Sequence, residues 1–144
     1  MNLKLAKTIL SIAVSNAKEM ERVCSIALVN ENGWLVALYR MDGAPIPTAE
    51  IARDKAWTAA VFRRPSSEVS AYGDPRAQGF GLNAQNWNDR LTIIPGGIPI
   101  WDGDLMIGAI GCCGATPEED VFLCQKIIEE IRSGQDNLNF KEVG

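Results

Sequence analysis

The sequence predicts an α+β fold, with helices covering an antiparallel five-stranded sheet and elements in the order α-β-β-α-β-β-β-α. Three observations predict it. Ser25 to Val29 and Leu105 to Cys112 are nearly continuous apolar or small runs, the pattern of central strands covered on both faces. Asn32-Gly33 and Asp102-Gly103 each sit between apolar runs and tolerate the backbone of a tight hairpin turn. The chain begins and closes with stretches that carry helix periodicity and helix caps.

Taken in order, Leu3, Ala6, Ile9, Leu10, Ala13, Ala17 and Met20 recur at three- and four-residue steps, giving an amphipathic helix from about Asn2 to Arg22. Cys24 to Asn30 and Trp34 to Met41 form a β-hairpin around Asn32-Gly33. Pro45 and Pro47 close it. Thr48 is then the expected cap of a second helix running to about Arg63, where Ala52, Ala56, Ala59 and Ala60 keep one side narrow enough to pack closely on a sheet. A short helical piece is expected from Ser66 to Tyr72. Gly73 to Arg90 shows no period and holds three glycines, which reads as a long loop of the kind that is usually functional. Three strands follow: Leu91 to Ile94, Ile98 to Trp101, and Leu105 to Cys112. Thr116, Pro117 and Glu119 supply the cap, first-turn proline and capping-box carboxylate of a last helix through about Arg132, closed near Gly134. Residues 1–144 read as a single domain, with 135–144 as a loose tail.

Composition narrows the function classes. A net charge of −4, with no basic run interleaved with aromatics, argues against a nucleic-acid partner. No run approaches the roughly 20 apolar residues that span a bilayer, and lysines and serines interrupt the first helix, so neither a membrane span nor a signal peptide is expected. Cys24, Cys112, Cys113 and Cys124 lack CxxC spacing and lie in apolar segments, which suits reduced thiols and a cytoplasmic location. With no histidine there is no Ser-His or Cys-His pair, so any general base must be Asp, Glu, Lys or Tyr. No metal site and no nucleotide-binding fingerprint is expected; the glycines at 108, 111 and 114 do not fit GxGxxG.

The candidate site residues each carry two readings. Ile51, Lys55, Thr58, Ala59 and Phe62 share a helical stripe, so Lys55 projects from a mostly apolar face. Its ammonium either holds a ligand carboxylate or snorkels from a packed stem. Arg40 and Asp42 form either an anion clamp or an internal or intersubunit salt bridge. Pro95, Gly96 and Gly97 either present free amides to a ligand or simply turn the chain sharply. The segment from Gly114 to Asp120 reads as a self-capped helix start rather than a phosphate cradle, because Glu118, Glu119 and Asp120 already occupy the positive end of the dipole. The cysteine pair at 112 and 113 reads as structural. Among the tryptophans, Trp87 in the long loop is the least committed to a core.

VNENGWLVALYRMDGAP (29–45), ARDKAWTAAVFRRP (52–65), PGGIPI (95–100) and GAIGCCGATPEED (108–120) resemble the successive motifs of the GlcG/HbpS-like family, which includes the C-terminal domain of PduO proteins. The resemblance covers nearly the whole chain. It implies a profilin-like three-layer α/β/α fold with sheet order 2-1-5-4-3, self-association into a homo-oligomer, binding of haem or iron, and accessory roles beside glycolate, propanediol, glycerol and corrinoid-dependent metabolism. The chain departs from it in lacking histidine, so Cys, Met or Tyr would have to ligate a haem iron.

The leading expectation is a non-catalytic accessory protein that binds a small anionic or tetrapyrrole-like ligand, haem- or corrinoid-related, in a pocket of Lys55, the Pro95 to Gly97 turn and the Gly73 to Arg90 loop. One alternative is a small lyase or isomerase acting on a hydroxy compound with Lys55 or a carboxylate as base. The other is a structural, oligomer-forming module docking through the Trp34 to Tyr39 strand.

Overall fold

The computed structural model describes residues 1–73, 76 and 89–134. The Asn2 side-chain oxygen accepts from the Leu5 amide and caps α1 (Leu3–Glu19), whose stripe of Ala6, Ile9, Leu10, Ala13 and Ala17 is buried. β1 (Ser25–Val29) is buried along its whole length, as the unbroken apolar run requires. It turns back into β2 (Leu35–Arg40) through residues 30–34, where Asn30 Oδ1 accepts from the Asn32 and Trp34 amides.

α2 (Thr48–Phe62) starts without the expected threonine cap. Thr48 lies inside the helix, and its hydroxyl donates to Pro45 O at 2.7 Å and meets Ser25 Oγ at 2.8 Å, fastening the helix start to β1. A 3-10 helix (Ser66–Gly73) follows. β3 (Gly97–Asp102) and β4 (Leu105–Cys113) form the second hairpin. α3 (Pro117–Ser133) opens with the capping box of Thr116 and Glu119 in place.

Among the described residues the sheet has four strands in the order β2-β1-β4-β3, all neighbours antiparallel, with the two continuous apolar runs side by side at its centre. The expected fifth strand, Leu91 to Ile94, is not one, so both the five-strand count and the α-β-β-α-β-β-β-α order are corrected. Its polar backbone is met by side chains instead of a ladder. Thr58 Oγ1 accepts from the Thr92 amide, Thr92 Oγ1 accepts from the Ile94 amide, and Ser66 Oγ donates to Ile94 O. Ile93 and Ile94 are each 41% exposed and Leu91 only half-buried, so burial does little to drive pairing of this segment.

Alternation along the central strands divides the core. Ile26, Leu28, Ile110 and Cys112 point to α1 and α3, against Ile9, Leu10, Leu123 and Ile127. Ala27, Val29 and Ala109 point to α2, against Ala52, Ala56, Ala59 and Ala60. Small residues on the α2 side bring backbones together: a Cβ on Gly111 would overlap the Ala52 carbonyl oxygen. Each fully buried Ile or Leu contributes roughly 1.5–3 kcal/mol.

Among the described residues no helix is long and apolar enough to cross a membrane. Most of the expected Gly73 to Arg90 loop, with Trp87, and the tail at 135–144 lie outside the described residues.

Candidate functional site

The alanine side of α2 places Lys55 against the sheet, where its side chain is 1% exposed. Its stem runs past the end of the sheet, and Nζ donates to Cys112 O and to Asp120 Oδ2, both at 2.8 Å. Asp120 lies on α3, across the sheet, so one ion pair ties the two helical layers together. Oδ1 of the same carboxylate accepts from the Ala115 amide at 3.2 Å. Burial pushes the Asp120 carboxyl above its ordinary value, against the opposing pull of the Lys55 ammonium.

The Pro95 to Gly97 turn gives this pair its room. A Cβ on Gly96 would stand 2.9 Å from Lys55 Nζ, Asp120 Cβ and Cys112 O, and Gly96 takes φ +116°, which other residues rarely adopt. A Cβ on Gly97 would overlap the Lys55 carbonyl oxygen. The Gly97 amide donates to Ser66 Oγ at 2.9 Å, and Gly96 O accepts from the Cys112 amide and the Cys124 thiol. Thr58 is fully buried and holds the returning chain through the Thr92 amide and Arg90 O. Pro95 is half-buried at the start of the turn. Lys55, Thr58, Pro95, Gly96 and Gly97 are thus neighbours, joined by Ser66 and Asp120, and the polar groups of this cluster are met by the chain's own atoms.

Arg40 and Asp42 stand apart from that cluster. They line an open groove of about 850 Å³ between the C-terminal half of α1 and the edge strand β2. Val14 and Met41 give it apolar walls and Lys18 and Arg22 give it cations, opposed by Glu21 and Asp42, while Leu38 and Arg40, turned by the register to the α2 side, border it from the strand edge. Ile26 faces Tyr39 across the strand pair, which puts Tyr39 on the α1 side of the sheet and in the groove. Arg40 donates to Ala44 O at 2.6 Å, while Arg22 pairs with Glu119 Oε1 at 2.5 Å.

The thiols are placed as core groups. Burial pushes Cys24 up to about 12, and Cys112 is raised well above its ordinary value by its hydrogen bond with Cys124 and by burial. Burial raises Cys113 as well, with Lys55 working against it. Among the described residues no group of three or more His, Cys, Asp or Glu is placed to hold a metal ion.

Two parts of this arrangement were missed in the sequence. Asp120 was grouped with Glu118 and Glu119 at the helix start, yet it falls on the inward stripe with Leu123, Cys124, Ile127 and Ile131. That spacing was available as a signal. The groove was not, because it joins α1 to a strand edge that only the tertiary fold brings alongside.

A family model described as "Haem degrading protein HbpS-like" matches residues 1–129. The chain is 29% identical over 119 residues to the corrinoid adenosyltransferase PduO of Citrobacter freundii, a match that covers 83% of this chain and 35% of that protein. It therefore spans only about a third of that relative's length. It is 32% identical over 108 residues to protein GlcG of Escherichia coli strain K12, covering 75% of this chain and 77% of that protein. The crystal structure of a PduOC–haem complex superposes with a TM-score of 0.82 at 25% identity, covering 90% of this chain and 93% of that one.

Proposed function

Because this chain belongs to the HbpS-like family, we propose that it is a non-catalytic accessory protein, on a profilin-like three-layer frame, that binds a carboxylate-bearing, tetrapyrrole-like molecule in the groove between α1 and β2. The groove itself is the observation that carries this reading. Its volume of about 850 Å³ falls within the roughly 300–1,000 Å³ usual for small-molecule sites, and it combines apolar walls with Lys18, Arg22 and Arg40. A flat apolar body with acidic substituents suits both features. The related PduOC has been crystallised with haem, which favours that ligand class.

The donor set is compatible with haem despite the absence of histidine from all 144 residues. Tyr39 and Met41 both line the groove, and tyrosine and methionine are established haem-iron ligands. The Lys55 cluster belongs to the frame in this reading, since its ammonium is occupied by Asp120 and Cys112 O.

The test is titration of the purified protein with hemin, cobalamin and small organic acids, followed by absorbance and calorimetry. Hemin or cobalamin is expected to bind, and Lys18→Ala combined with Arg40→Ala to weaken it several-fold. Absence of binding to every probe, or turnover of a diol or hydroxy acid without added metal, overturns the proposal.

A second reading concerns assembly. The far edge of β2 is unpaired within the described sheet, and Trp34 and Leu35 there are 68% and 48% exposed, which favours self-association through that edge. Light scattering that finds a monomer removes it.

A further inference from the structure

Resting on the groove reading above, we infer that Tyr39 is the iron ligand for a ferric tetrapyrrole bound between α1 and β2. The sequence contains no histidine, which leaves sulfur and phenol donors. Cys24, Cys112 and Cys124 are fully buried, and Cys24 and Cys112 are held protonated by their surroundings. Cys113 packs on the α2 side of the sheet, away from the groove. Met41 lines the groove, but it is half-buried against the core and its sulfur accepts from Cys24 Sγ at 3.9 Å. Tyr39 alone among the groove's donors is both well exposed, at 48%, and on the α1 side of the edge strand.

The surrounding charges suit this placement. Lys18 borders the groove from α1, on Tyr39's side of the sheet, so a carboxylate of a ligand whose iron faces the phenol meets a cation; Arg22 beside it is paired with Glu119, and Arg40 donates to Ala44 O. On coordination the phenol proton leaves to solvent, and the iron keeps its oxidation state.

The experiment compares hemin and metal-free protoporphyrin IX on the wild type and on Tyr39→Phe, Met41→Leu and Tyr72→Phe, with resonance Raman and EPR spectra of the hemin adducts. The wild-type adduct is expected to show high-spin ferric iron with tyrosinate vibrations. Tyr39→Phe is expected to abolish those vibrations and weaken hemin at least about tenfold, while changing metal-free protoporphyrin by less than about twofold. Met41→Leu and Tyr72→Phe are expected to keep the tyrosinate signature. Loss of the signature in Tyr72→Phe, or a wild-type spectrum in Tyr39→Phe, overturns the ligand assignment and leaves the groove reading intact if protoporphyrin still binds. Failure of the wild type to bind either porphyrin overturns both.

Discussion

Lys55 Nζ lies 2.8 Å from Asp120 Oδ2, and this contact joins helices on opposite faces of the sheet with both side chains almost wholly out of water. Removing one partner strands the other charge. Asp120→Ala is expected to cost about 3–5 kcal/mol, whereas Lys55→Met combined with Asp120→Leu recovers most of that loss. Urea unfolding with matched slopes measures both. A double variant as unstable as the single one would show that the pair contributes more than mutual neutralisation.

The close approach at the Pro95 to Gly97 turn predicts an asymmetry between glycines. Gly97→Ala drives a Cβ into the Lys55 carbonyl and is expected to cost about 3 kcal/mol. Gly103 has φ +57° but nothing within 4 Å of its virtual Cβ, so Gly103→Ala is expected to cost only about 1 kcal/mol. Thermal midpoints of the two variants should rank accordingly; equal midpoints would contradict the packing described at Gly97.

Glu119 sets a pH dependence. Its hydrogen bond with Arg22, aided by the cap at Thr116, lowers its carboxyl from an ordinary 4.5 to about 2. A depressed carboxylate stabilises the fold above its unfolded value and loses that contribution as the pH falls from 4.5 towards 2. Stability measured from pH 6 down to about 2 should decline less steeply in Glu119→Gln than in the wild type over that window. Parallel curves would remove this pair from the account of acid unfolding.

Thiol chemistry should follow burial. At neutral pH the native protein is expected to react slowly with Ellman's reagent, with half-buried Cys113 first, and all 4 thiols to react promptly in denaturant. Rapid native reaction at Cys24 or Cys112 would contradict the closed core around them.

Much of the fold was legible because its signals were local. The continuous apolar runs at Ser25 to Val29 and Leu105 to Cys112 gave the central strands, and Thr116, Pro117 and Glu119 gave the start of α3. The errors came where distant partners decide. Leu91 to Ile94 has the composition of a strand, but Thr58 and Ser66, far away in sequence, take its backbone bonds. Thr48 looked like a cap until Ser25 and Pro45 claimed its hydroxyl. For the site, Lys55 and the glycine turn, grouped together in the sequence, do lie against one another, but the carboxylate that completes the cluster was hidden among the acidic residues of a helix start.

The different thicknesses of the two interlayers have a mechanical consequence. On the α2 side, main chain meets main chain at Ala52 and Gly111 and at Lys55 and Gly97, so helix and sheet form one stiff plate with no slack to give. On the α1 side, long aliphatic side chains separate helix from strand. The guest proposed beside Tyr39 would therefore meet the side spaced by aliphatic side chains and not the plate.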